Sequence, residues 1–195
     1  MRAIPRLGLA LAVSILPHLA QAGVWNEVGD AGNTPGSAQT TSGVGSLNTI
    51  FGTLSPASDT DVFKIYVSDT AAFAVTMAGT ALSSDNDTEL YVLDTSGNLL
   101  FSDDDDGVGL LSQLNAGEFA ANAAGYYLIA YNLFHSAPIG SPVVGWTVDP
   151  NPAQTGSVQL NLTGAQFANS NNVPEPASLA LAALALLGVG FTRRR

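Results

Sequence analysis

Apolar residues recur through the middle of the chain in short clusters that alternate with polar ones, and the two ends break that pattern with continuous apolar runs. In the segment 61–67, Phe63, Ile65 and Val67 fall on one side and Val62, Lys64 and Tyr66 on the other, the period of two that predicts a β-strand with one face on a core. Phe73, Val75 and Met77 repeat it, and so do Val158, Leu160 and Leu162 set between Ser157, Gln159 and Asn161. The apolar runs 90–93 and 99–101 flank Asp94-Thr95-Ser96-Gly97-Asn98, a polar, glycine-containing centre that predicts a hairpin connection. Residues 125–131 and 143–148 predict two further strands. No stretch of the middle keeps a helical period for three turns. Short strands separated by glycine and asparagine turns predict an all-β fold, an antiparallel β-sandwich of jelly-roll type over residues 47–163. Residues 23–46, rich in Gly, Thr, Ser and Asn, predict a flexible leader, and 164–172 a linker.

The ends carry a different kind of sequence. Arg2 and Arg6 precede the apolar run 7–16, followed by Pro17 and by Ala20-Gln21-Ala22 before Gly23. That charged, apolar, small-residue order is a secretory signal peptide over residues 1–22, which signal peptidase is expected to cut after Ala22, with Ala20, Ala22 and Gly23 marking the site. A run of about ten residues at ~1.5 Å each is too short to span a bilayer core of roughly 30 Å. At the other end Val173-Pro174-Glu175-Pro176 leads into the uncharged segment 177–192 and then Arg193-Arg194-Arg195. Proline is tolerated at the first helical position, so a helix is predicted to start there. Sixteen residues give about 24 Å of helix, enough to cross a membrane with snorkelling arginines and local thinning. The terminal arginines are expected to stay cytoplasmic. Both ends therefore predict that the middle is exported.

Pro174-Glu175-Pro176, an apolar helix and Arg193, Arg194 and Arg195, in this order at the C-terminus and opposite a signal peptide, resemble the PEP-CTERM sorting signal of Gram-negative bacteria that make exopolysaccharide. The resemblance covers residues 173–195. It implies recognition and cutting near the Pro-Glu-Pro by exosortase, a membrane-embedded protease. It also implies export across the inner membrane, a transient C-terminal membrane anchor, and a final place at the cell surface or in the extracellular polymer matrix. A second resemblance lies in the middle. Asp59-Thr60-Asp61-Val62-Phe63, then residues 87–94 with Ser96-Gly97-Asn98, then Ser102 and Asp103 to Gly107, then Ala124-Gly125-Tyr126-Tyr127-Leu128 follow one another in an order similar to bacterial pre-peptidase C-terminal domains. That resemblance implies a non-catalytic binding or stabilising sandwich, in some cases calcium-binding, that usually accompanies an enzyme; the 150 residues here leave no room for one.

Composition sharpens this. The chain has 195 residues, 46 % hydrophobic and 11 % charged, with a net charge of −10 and no cysteine. The length sets about one domain, and the recurring Val, Leu, Ile, Phe and Tyr exclude disorder for most of it. Every base except Lys64 lies in the two end segments, and of the sixteen acids only Glu175 does, so the exported part is more acidic than the whole. Nucleic-acid binding is not expected, because phosphate contacts need clustered Lys and Arg. The missing cysteines exclude disulfides, a thiol nucleophile and thiolate zinc sites.

Asp103, Asp104, Asp105 and Asp106 stand in a row, and like charges about 7 Å apart repel by roughly 0.6 kcal/mol per pair even in water. A hard divalent cation with six to eight oxygen ligands suits such a loop, and Ca²⁺ in exported modules binds at about 10⁻⁴ to 10⁻³ M. The candidate ligands are Asp103 to Asp106 together with Asp59, Asp61, Asp85, Asp87 and Glu89 on neighbouring turns. The run is not an EF-hand, since aligning Gly107 with the required glycine puts Ser102 and Gln113 at the end positions. The alternative is a solvated acidic turn that keeps the protein soluble.

Enzyme chemistry is not expected. His135 is the only histidine left after export, and no Gly-x-Ser-x-Gly elbow or phosphate-cradling loop followed by Lys-Ser or Lys-Thr accompanies it. Three functions stay open: a non-enzymatic structural or adhesive surface module, a carbohydrate-binding module for exopolysaccharide, and a small glycan-active enzyme using a carboxylate pair. Tyr66, Tyr126, Tyr127, Tyr131 and Trp146 are the aromatics from which a sugar-stacking face could be built, or else they are core.

Overall fold

The computed structural model describes residues 23–55, 58–83, 85–148 and 154–170. Among these no segment is α-helical, and the elements are strands, turns and one 3₁₀ turn at Pro35–Ser37. None of the described helices is long and apolar enough to cross a membrane. The signal-cleavage residues Ala20 and Ala22, the tail from Pro174 to Arg195 and its expected helix 177–192 lie outside the described residues.

Two six-stranded sheets make up the body. The first runs β1 (Gly23–Asn26), β4 (Leu47–Leu54), β14 (Gly156–Thr163), β6 (Ala74–Thr76) and β10 (Gln113–Leu114), with β7 (Ala81–Leu82) also on β14. The second runs β15 (Ala165–Phe167), β5 (Asp61–Val67), β11 (Gly125–Leu133), β8 (Thr88–Asp94) and β9 (Leu99–Asp103), with β2 (Gln39–Thr40) also on β5. A hairpin of β12 (Pro138–Ile139) and β13 (Gly145–Trp146) and a short pair of β3 (Ser42–Gly43) with β16 (Asn169–Ser170) complete the ladders. The period-two sets land as their spacing requires. Phe63, Ile65 and Val67, Phe73, Val75 and Met77, and Val158, Leu160 and Leu162 all join one buried cluster with Leu47, Ile50, Val92, Ile129 and Tyr131, so both sheets share one apolar core. The hairpin after β8 also forms: the Asp94 carboxylate accepts from the Ser96 and Asn98 amides at 2.8 and 2.9 Å, and Gly97 takes φ +91. Hydrogen bonds from the Asn98 side chain and these amides hold the Asp94 carboxyl below the usual range.

Three expectations change. The sheets are mixed rather than antiparallel throughout, because β1 on β4, β2 on β5 and β16 on β3 are parallel pairs. All three involve the segments expected to be leader and linker. The leader is instead built into the body: Trp25 packs on the main core and donates its indole N–H to Gln39 at 3.0 Å, and Ala31 is fully buried. The linker supplies β15 and β16, and Phe167 is in the core. Strands of two to four residues are too short for a period-two pattern to show, which is why turn-like composition hid them. The third change is at 143–148, where only Gly145–Trp146 is strand and Val144 and Val148 are exposed. The second sheet is apolar on its outer face too, through Val62, Tyr91, Leu93, Leu128 and Ala130; the hairpin 138–146 folds over that face, burying Val143 and part of Trp146.

Candidate functional site

The acids of the body gather in two places, both at the end of the second sheet where β5 and β8 begin. Asp61 opens β5 directly opposite Tyr131 of β11 in the ladder. Its side chain is fully buried, and the Tyr131 hydroxyl donates to its Oδ2 at 2.6 Å. Oδ1 of Asp61 has no donor at all. Glu27, just beyond β1, and Asp30 bring carboxylate oxygens to within 4.8 Å of Asp61 and of one another. Glu27 is fixed by the Ala31 amide on Oε1 at 2.8 Å and the Thr53 amide on Oε2 at 2.9 Å. Asp59, also buried, accepts from the Ser55 amide at 2.8 Å. Burial, against the help of Tyr131 and reinforced by the charges of Glu27 and Asp59, pushes the Asp61 carboxyl up to about 8. Burial also raises Asp59 to about 6. Tyr131 is pushed upward by its own burial and by the Asp61 charge.

The Tyr131 hydroxyl reaches this place because β4 has a glycine at position 52. A Cβ there would collide with that hydroxyl and come within 3.3 Å of Glu27 Oε2. Gly52→Ala is therefore expected to lower stability by about 1–3 kcal/mol, the range of overpacked core sites, read as a drop in Tm by calorimetry.

The second place lies at the same end of the sheet, where β8 begins and β9 ends. Asp87, Asp104 and Asp105 hold carboxylate oxygens within 4.8 Å of one another. Burial first, then the charges of Asp104, Asp105 and Asp85, raise Asp87 to about 6, and His135 works against the rise. Glu89 is raised by burial as well, although its Oε1 accepts from the His135 amide at 3.2 Å and its Oε2 from the Tyr91 hydroxyl. Oδ1 of Asp104 is buried without a donor. Beside this group a cavity of about 440 Å³ opens on the outer face of the second sheet, lined by Glu89, Tyr91, Leu99, Ser102, Asp103, Asp104, Ala137 and Pro138.

The nine acids singled out from sequence thus do not form one site. Asp59 and Asp61 go to one place; Asp87, Glu89, Asp104 and Asp105 go to the other, with Asp85 exposed nearby. Asp103 closes the turn instead, its Oδ2 accepting from the Gln113 and Asp106 amides at 2.7 and 3.2 Å, and Asp106 is exposed. Glu27 and Asp30 escaped notice because they sit in the segment expected to be a flexible leader. The aromatics do not share a face either. Tyr131 is core, Tyr127 is largely buried against Phe119, Trp146 packs on Tyr91 at 4.8 Å between ring centres, and Tyr66 and Tyr126 pair edge-on at 5.2 Å under Lys64.

Fold and sites together define an acidic, all-β body of two mixed sheets. Its sequence adds the destination: residues 172–195 match the model of the PEP-CTERM protein-sorting motif. That motif marks an exported protein targeted to exosortase, with a place at the cell surface or outside the cell. No curated protein matches the chain.

Proposed function

We propose that the chain is an exported, exosortase-processed, non-enzymatic module that ends at the cell surface or in the exopolysaccharide matrix, where the two-sheet body has structural or adhesive duties. The observation that carries this reading is the sorting motif over residues 172–195 behind a body of this kind. The last paired residue of the body, Ser170, is four positions before Pro174, so even a fully extended chain separates them by no more than about 14 Å. Cutting near the Pro-Glu-Pro then takes place close against the folded body. Fractionating cells into membrane, bound polymer and medium tests the destination: the processed protein is expected with the polymer or the surface, and free protein in the medium alone would contradict it.

Calcium belongs to this reading as a clamp. Glu27, Asp30 and Asp61 offer the better of the two places, because Asp61 is a fully buried carboxylate with an oxygen that no protein donor reaches. A cation there would balance the three converging carboxyl groups, taking the place of the Asp61 proton, and tie the N-terminal segment to β5. Asp87, Asp104 and Asp105 form the second, more open candidate.

A further inference from the structure

The cavity beside the 138–146 hairpin is lined by both carboxylates and apolar side chains. Glu89, Asp103 and Asp104 line it with carboxylates, while Leu99, Pro138 and the ring of Tyr91 supply apolar wall. Its volume of about 440 Å³ lies within the ~300–1,000 Å³ of small-molecule sites. Among the described residues the base that bears on these acids is His135, whose charge works against the rise of Glu89 and Asp104. Lys64 is the one Lys or Arg among the described residues, and its ammonium sits 4.9 Å from the centre of the Tyr126 ring, outside the lining. Glu89 is held in place by two donors, the Tyr91 hydroxyl and the His135 amide, neither of them charged.

We propose that this cavity binds a protonated amine carried on a sugar ring, a glycan residue with a free amino group, through Glu89 and Asp104 with the ring against Tyr91, Leu99 and Pro138. The carbon wall is what distinguishes the ligand from a bare divalent cation, which takes oxygen ligands all round. The excess of carboxylates, Glu89, Asp103 and Asp104 against His135, distinguishes it from a neutral sugar, since a cationic group placed among partly buried acids gains more than a hydroxyl does. The assignment rests on the proposed place of the protein in the polymer matrix and names the chemistry of the polymer it would meet there.

The test is calorimetric titration of the full chain, purified in detergent, with a glucosamine trimer and with its fully N-acetylated counterpart. The amino form is expected to bind at least about tenfold more tightly, and to weaken as NaCl rises from 0.05 to 0.5 M. Glu89→Gln should weaken it about tenfold. Ser102→Trp, which fills the exposed rim while keeping every carboxylate, should abolish it while leaving the Tm in place. Equal binding of the two trimers overturns the proposal, as does amine binding that survives both variants. Binding of a capped lysine amide as tightly as the amino sugar also overturns it, since the cavity would then read the ammonium alone. Calcium binding at Asp104 that excludes the sugar does the same. Because binding is measured on purified protein, its failure is separate from a failure of surface or matrix location, which fractionation reads in cells.

Discussion

Adding 5 mM CaCl₂ to the purified protein at pH 8 is expected to raise its Tm by about 3–6 °C, and Asp61→Asn is expected to remove that rise. At the affinities usual for exported calcium modules, occupancy at 5 mM contributes about 1–2 kcal/mol. For a body of this size each kcal/mol moves the Tm by about 2–4 °C. The pH dependence of the calcium-free protein follows from the same carboxyl. Asp61 titrates at about 8 in the folded chain against an ordinary value of 3.8, so between those values the folded chain holds a proton that the unfolded chain has released. Stability is then greatest near the lower value and is lost as pH rises toward 8. Asp59, raised to about 6, adds a loss of the same sign over the lower part of that window. A calcium-free melt should therefore fall from pH 5 to pH 8.5, and calcium should flatten the curve by replacing the proton. Asparagine keeps an acceptor for the Tyr131 hydroxyl while removing the buried charge, so Asp61→Asn should be the more stable protein at pH 8 without calcium. A calcium shift of undiminished size in that variant would place the ion elsewhere, with Asp87, Asp104 and Asp105 the next group to neutralise.

Removing residues 23–41 from the exported body is expected to destabilise it by at least about 3 kcal/mol, a large part of the ~5–15 kcal/mol that holds a domain folded. The deletion strips β1 from β4 and β2 from β5, and takes Trp25 and Ala31 out of the core. Large apolar side chains contribute about 1.5–3 kcal/mol each on full burial, and two ladders of backbone hydrogen bonds go with them. It also removes Glu27 and Asp30, leaving Asp61 buried with neither. A flexible appendage would behave in the opposite way, its loss leaving the Tm and the urea m-value unchanged. Circular dichroism melts of the shortened and complete bodies separate the two outcomes.

What could be read from the residues divides along physical lines. Long strands with one face on the core announced themselves, as Phe63-Ile65-Val67 and Val158-Leu160-Leu162 show, because burial on one face imposes alternation over six or more residues. Parallel pairs did not, since they join distant segments and leave no turn between them: β1 and β4 are separated by twenty residues whose composition is that of loops. The acidic run drew attention by its density, yet density is not convergence. Asp103 spends its carboxylate on closing a turn, whereas the place with the most strongly perturbed carboxyl depends on Glu27 and Asp30, two separated acids in a glycine-rich stretch. Only the folded ladder, which sets Asp61 opposite Tyr131 and β1 beside β4, puts those acids together. The sorting tail was legible for a different reason, being read by other proteins as a linear signal rather than through the fold.

The most direct test of the account as a whole is the fate of the chain in its own cells with and without Arg193, Arg194 and Arg195. Immunoblots of fractionated cells should show the complete chain shortened at its C-terminal end and found with the surface or polymer, and the truncated chain unprocessed and held with the membrane. Identical size and distribution of the two proteins would contradict the assignment of residues 172–195 as an exosortase signal.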